Sequence, residues 1–275
     1  MTEKVAVVIP IYSKYPTKAE KASLIQCKRI LEKHKIIVVC PQNLDISEYK
    51  FLTNRFERFD DKNFKSVKAY SRLCLDVNFY KRFEDFEYIL IYQPDGWVFK
   101  DELEYWCEQG YDYIGAPWFE GFEKADENSK MLEEVGNGGM SLRNIKKHIK
   151  LFENPHFIQS YSAIAEENKK HKIISNILNI PVNFCKYLSQ FIIPIRFGTK
   201  LNEDFYIAKY AKIIVPDFKI PDAETALKFA FENQPKRLYE MNGKNLPFLC
   251  HAFKKYDYEF WEPFIRLGEE NALGK

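Results

Sequence analysis

Near the start of the chain runs KVAVVIPIY (4–12), apolar and β-branched almost throughout. A stretch with no polar face predicts a strand covered on both sides, as in a parallel sheet, and its proline marks where the ladder ends. In TKAEKASLIQCKRILEKH (17–34) the spacing changes: Ala22, Leu24, Ile25, Cys27, Ile30 and Leu31 fall close to helical positions, with Lys and Glu between them. KIIVVCP (35–41) is again wholly apolar. Strand, helix and strand in this order predict a right-handed crossover and a doubly wound α/β sheet, a nucleotide-binding type of start.

The pattern continues with a helix over 68–83 and a strand in FEYILIYQPDGWVF (86–99). Asp101 is placed to cap the helix ELEYWCEQG, which Gly110 closes. YDYIGAPW (111–118) reads as a short strand entering a loop, and the charged 120–135 as a mobile surface segment. GNGGMSLRNIKKHIKLF (136–152) opens with three glycines in four positions and is expected to become a helix near Leu142. Residues 155–200 mix lysines with apolar residues, are split by Pro181 and Pro194, and predict an inserted helical segment. LNEDFYIAKYAK (201–212) predicts a helix opened by Asn202, with Glu203 and Asp204 in the first turn, where carboxylates suit the helix dipole.

Composition narrows the class. With 46% apolar, 16% aromatic and 29% charged residues, the 275-residue chain is an ordered globule. Forty-one basic against 39 acidic side chains leave +2, too little for a protein that binds nucleic acid through a basic stripe. The six cysteines form no CxxC pair, which excludes zinc-ribbon and dithiol motifs and predicts reduced, mostly buried thiols. The N-terminal apolar run is too short for a secretory signal and no stretch reaches about 18 apolar residues, so a cytoplasmic protein is expected.

Four places carry chemistry. Asp95, after an apolar strand, is either the turn residue of PDG or a carboxylate in the crevice where open α/β sheets bind ligands, able to hold a divalent cation. GNGG either brings backbone close to a sugar or phosphate, or is a flexible turn. Glu203 and Asp204 are a helix-capping pair or contain a general base. His251, in NLPFLCHAF, is a core histidine or a ligand and acid/base group. His34, His148, His156 and His171 lie among lysines and are expected at the surface. The basic stretch 169–196 suits either a packed helical hairpin or a membrane surface, the latter placing the protein at the inner face of the membrane.

Taken in order, VVIPIY, YILIYQPDGWVF, YDYIGAPW, VGNGGMSLRN, NEDFYIA and LPFLCHAF resemble a bacterial family of glycosyltransferase-like domains of GT-A type, catalogued without an assigned function and associated with polysaccharide genes. The resemblance spans nearly the whole chain apart from about 155–200. It implies a Rossmann-type mixed sheet flanked by helices, in one domain with a nucleotide-binding half (1–118) and an acceptor half (119–275). It also implies a nucleotide-sugar donor and a glycan or lipid-linked acceptor. Asp95 takes the place of the last aspartate of a DxD motif that binds Mn2+ or Mg2+, with Gln93 where another acid is usual, and His251 matches a histidine that completes such a metal site. Pro10, Tyr12, Gln93, Asn137, Gly138 and Gly139 would contact donor or acceptor, and Trp97 and Trp118 would stack on a sugar. Asp204 would deprotonate the acceptor hydroxyl while Glu203 holds a hydroxyl. A non-catalytic nucleotide- or sugar-binding scaffold of a polysaccharide assembly complex is the alternative, and a metal-dependent sugar-phosphate hydrolase a third.

Overall fold

The computed structural model describes residues 2–153 and 201–265. The strands are β1 (Glu3–Pro10), β2 (Lys35–Pro41), β3 (Phe56–Phe59), β4 (Phe86–Tyr92), β5 (Trp97–Val98), β6 (Tyr113–Ile114), β7 (Pro117–Phe119), β8 (Met131–Val135), β9 (Met140–Asn144), β10 (Ala230–Phe231) and β11 (Leu249–Cys250). The helices are α1 (Lys18–Ile30), α2 (Val67–Cys74), α3 (Val77–Lys81), α4 (Leu103–Glu108), α5 (Ile145–Glu153), α6 (Glu203–Ile214), α7 (Ala223–Phe229), α8 (Pro235–Met241) and α9 (Tyr258–Trp261).

The main sheet has the order β3-β2-β1-β4-β9-β6. Its first four strands are parallel and β9 runs antiparallel to both of its neighbours, so the expected mixed sheet is present. Alternation along β1 explains why the run is apolar throughout. Val5, Val7 and Ile9 face a core shared with Leu24 and Cys27 of α1 and Trp106 of α4. Ala6 and Val8 face a second core, shared with Leu73 of α2, Phe79 of α3, Phe152 of α5 and Ile207 of α6. A third core joins Trp97, Phe231, Cys250, Phe253 and Trp261 around a smaller sheet, β10-β11-β5.

Three local expectations change. The stretch after GNGG continues as β9, pairing Tyr92 with Met140 and Leu90 with Leu142, and the helix begins only at Ile145. Its apolar alternation serves the sheet before the periodicity turns helical. The charged segment 120–135 holds β8 and the connection that joins it to β7 as a hairpin, pinned where Gln234 donates to Ala125 O (2.8 Å) and Arg237 to Ser129 O. His34 and His148 are buried, at 9% and 0% exposure. His34 meets Asp101 at 3.1 Å, while His148 stacks on Tyr80 with centroids 4.9 Å apart. Burial, and then the charge of Arg143, hold the His148 pKa down at about 3, so that ring is neutral.

The five described cysteines are free and buried. The expected insertion at 155–200, the basic stretch 169–196, His156 and His171 lie outside the described residues. Among the described residues, no helix is long and apolar enough to cross a membrane.

Candidate active site

Strand order reverses beside β1: the chain winds outward to β2 and β3 on one side, and β4 lies on the other. Crevices at such a switch point, beyond the carboxyl ends of the strands, are where open α/β sheets take ligands. The nearby N-terminus of α1 is closed by its own capping box. Glu20 N–H donates to Thr17 Oγ1 (3.2 Å) and Thr17 N–H to Glu20 Oε2 (2.6 Å), so two of its donors are spent and the Glu20 carboxylate puts a negative charge there. The cleft, about 290 Å³, lies past the end of β4.

Gln93 and Asp95 enter it from the turn after β4, where Gly96 N–H donates to Gln93 O (3.0 Å) and Gln93 N–H to Gly139 O (2.9 Å). Asp95 is therefore a turn residue and a cleft residue at once. Facing it is His251, just beyond β11. Its Nε2 lies 3.3 Å from both Asp95 Oδ1 and Gln93 Oε1, and its Nδ1 lies 2.7 Å from Glu232 Oε1. Burial alone would lower the His251 pKa, but the hydrogen bonds and charges of the two carboxylates outweigh it and push it up to about 10. Burial likewise opposes the Asp95 charge, and His251 overcomes it to hold that carboxyl below its usual range.

The glycine segment forms the cleft wall. Asn137 Oδ1 accepts from Gly139 N–H (2.8 Å) and Met140 N–H (2.9 Å), which orients its Nδ2; that buried donor has no partner among the described residues. The absent side chains matter for close approach. A Cβ on Gly139 would lie 2.1 Å from His251 Nε2, and one on Gly138 2.7 Å from Glu203 Oε1.

At the start of α6 the two adjacent acids have different fates. Glu203 is buried and paired with Arg143 Nη2 at 3.2 Å, and its N–H donates to Ser71 Oγ (2.7 Å). Arg143 is spent in turn on Ser141 Oγ (3.0 Å) and Tyr80 Oη (3.1 Å). Asp204 is half-buried and makes no ion pair among the described residues. Burial, and then the nearby charge of Glu203, push its pKa up to about 7, which suits a group that takes a proton near neutrality.

The cleft thus brings together Gln93, Asp95, Trp118, Asn137, Gly138, Gly139, Glu203, Asp204 and His251. Three expected contacts fall outside its lining. Pro10 is buried at the end of β1 opposite Val39, and Tyr12 is 61% exposed just beyond that strand. Trp97 is a core residue at 5% exposure, edge-on to Phe253, because β5 turns it into the third core; a sugar has no access to it. Trp118 stacks on Phe205 with centroids 4.3 Å apart, so the aromatic surface beside Asp204 comes from Phe205 and the 40%-exposed Phe122. Glu232, Lys255, Phe205 and Arg143 were missed by sequence reasoning. Glu232 carries a signal like that of Asp95, an acid just past the end of an apolar strand, and Arg143 is a charge inside one.

The family model described as "Protein of unknown function (DUF5672)" matches residues 53–251. The chain belongs to this family. No curated protein matches it. Among solved structures it is similar to a glycosyltransferase involved in the glycosylation of the major capsid of PBCV-1, at 9% identity over 90% of this chain and 92% of that one, with a TM-score of 0.42. It is also similar to the galactosyltransferase LgtC in complex with donor and acceptor sugar analogs (12% identity, 90% and 86% covered, TM-score 0.48). A third is the apo form of mouse xyloside xylosyltransferase 1 (9% identity, 90% and 97% covered, TM-score 0.47).

A divalent cation can be tested against these side chains. Among the described residues, no three His, Cys, Asp or Glu side chains converge to hold a metal. The set that converges is Asp95, His251 and the neutral amide oxygen of Gln93. Separations of about 3 Å are those of adjacent ligands around an ion with bonds of roughly 2.1 Å, so the spacing fits, and Glu232 on Nδ1 supplies the usual outer carboxylate. A cation there would displace the proton that His251 Nε2 otherwise shares with Asp95.

Proposed function

We propose that this DUF5672 chain is a glycosyltransferase of GT-A type, moving a sugar from a nucleotide-sugar donor to a hydroxyl of a glycan or other acceptor in bacterial surface polysaccharide or glycoconjugate synthesis. One observation carries the reading: a half-buried carboxylate of near-neutral pKa, Asp204, lines the same switch-point cleft as the Gln93–Asp95–His251 cluster. That pairs a proton acceptor for an incoming hydroxyl with a place for a leaving diphosphate.

In this reading Asp204 takes the proton of the acceptor hydroxyl as its oxygen bonds to the anomeric carbon and the bond to the diphosphate breaks. Asn137 offers its unpaired N–H to a sugar oxygen. Phe205 and Phe122 pack against the apolar face of the acceptor ring. The cleft carries Asp95, Glu123, Glu203, Asp204 and Glu232 against few cations, with Lys255 itself held by Glu123 at 2.6 Å. An anionic diphosphate therefore calls for added positive charge. A divalent ion held by Asp95, His251 and Gln93 would supply it by neutralising the leaving group.

The test is the melting temperature of the purified protein with a panel of nucleotides and nucleotide sugars, each with Mn2+ and with chelator, followed by assay of donor turnover on any that bind. A Mn2+-dependent rise with one nucleotide sugar, and its turnover, is expected. Binding without turnover in the presence of acceptor glycans would instead favour the scaffold reading, and absence of binding by every member would overturn both.

A further inference from the structure

Glu232 has no part in the proton transfer just described, yet it is placed with care. It follows β10 directly, as His251 follows β11, and these strands pair in parallel with Phe231 opposite Cys250. The His251 N–H donates to Phe231 O at 2.9 Å, so backbone bonding sets the two side chains next to each other at the strand ends. Across that junction Glu232 Oε1 lies 2.7 Å from Nδ1.

A carboxylate only accepts, so Nδ1 carries the hydrogen at this contact. Turning the ring by half a revolution about its Cβ–Cγ bond would put a carbon against Glu232 and break the bond. The backbone of Gly139 bounds the ring at Nε2, where no side chain could fit. With Nδ1 tied on one side and the glycine wall on the other, Nε2 faces Asp95 Oδ1 and Gln93 Oε1, each at 3.3 Å.

We propose that Glu232 is a positioning residue, fixing the His251 ring so that Nε2, Asp95 Oδ1 and Gln93 Oε1 converge as a ready-made cation site. The use made of that site rests on the transferase reading, whereas the orientation of the ring does not. Outer carboxylates on a ligating imidazole commonly change metal affinity roughly 10- to 100-fold.

The experiment uses the full chain carrying 15N-labelled histidine, in chelator, with Glu232→Ala and Glu232→Gln beside the native protein. Two readouts are taken: the downfield Nδ1–H resonance of His251, assigned by its loss in His251→Ala, and the affinity for Mn2+ alone by titration. Glu232→Ala should lose the resonance and bind Mn2+ roughly 10- to 100-fold more weakly while still unfolding in one cooperative transition, at a somewhat lower melting temperature because the hydrogen bond to Nδ1 is gone. Glu232→Gln, whose amide oxygen still accepts from Nδ1–H, should keep the resonance and recover most of the affinity. A native-like resonance in Glu232→Ala would overturn the proposal, whatever Mn2+ does. If the resonance is lost in Glu232→Ala but the native protein binds no Mn2+, ring positioning stands and the cation reading of the cleft fails.

Discussion

Arg143 and Glu203 meet at 3.2 Å with side-chain exposures of 0% and 5%, which makes Glu203 the counter-ion of a buried guanidinium. The family resemblance implied that Glu203 holds a substrate hydroxyl, but the oxygen nearest the cleft wall is the one paired with Arg143. Removing one partner strands a buried charge. Glu203→Ala should therefore destabilise the protein by about 3–5 kcal/mol, seen as a lower urea midpoint. The double variant Arg143→Met with Glu203→Leu should recover most of that loss. A single variant within about 1 kcal/mol of native would mean the pair is solvated.

Asp204 behaves oppositely. Its pKa is raised to about 7, so below that pH it is protonated in the folded protein, while an unfolded-state aspartate ionises near its ordinary 3.8. Between these values the folded state binds more protons, so this group's stabilising contribution declines as pH rises and is lost above about 7. Asp204→Asn should accordingly melt higher than native at pH 8 and not at pH 4. Turnover should move in the other direction, rising through pH 7 as the base ionises and falling roughly 100-fold or more in Asp204→Asn. A flat rate profile from pH 5 to 8 would remove Asp204 from the base role.

Three of the four parallel strands, β1, β2 and β4, were legible because they are covered on both faces over most of their length, leaving apolar runs at 5–10, 36–41 and 88–92. β9 was harder. A helix was expected from Leu142, and the burial of Arg143 inside the strand becomes intelligible only with Ser141 beside it and the distant Tyr80 and Glu203. His148 misled for a related reason: lysines flank it, but the helix turns the imidazole inward against Tyr80. In the cleft, the strand-end acid and the glycine segment could be read from local pattern. Glu232 could not be tied to His251, because the pairing of β10 with β11 that joins them is a property of the tertiary fold.

Asp95 is half exposed, at 48%, and its near contact is the His251 ring. Asp95→Asn removes a charge while keeping the shape of the turn. Mn2+-dependent stabilisation by the donor nucleotide should disappear, with the melting temperature in chelator shifted by no more than about 2–4 °C. Unchanged Mn2+ dependence in the thermal-shift assay would make Asp95 a turn residue alone.

Adjacent glycines should give separable phenotypes. A methyl on Gly138 is directed at Glu203 Oε1, 2.7 Å away, and so presses on the buried pair with Arg143. Gly138→Ala should lower stability by about 1–3 kcal/mol, as overpacking of a close contact does. A methyl on Gly139 is directed at the His251 ring, 2.1 Å from Nε2, and that ring lies at the cleft edge. The ring yields by swinging away, so Gly139→Ala should lose Mn2+ binding and donor turnover with a smaller fall in stability than Gly138→Ala. Urea midpoints and Mn2+ titration on the two variants decide the matter. If Gly139→Ala keeps native Mn2+ affinity, His251 does not hold the cation, because the methyl would lie 2.1 Å from the Nε2 that faces Asp95 and must displace it.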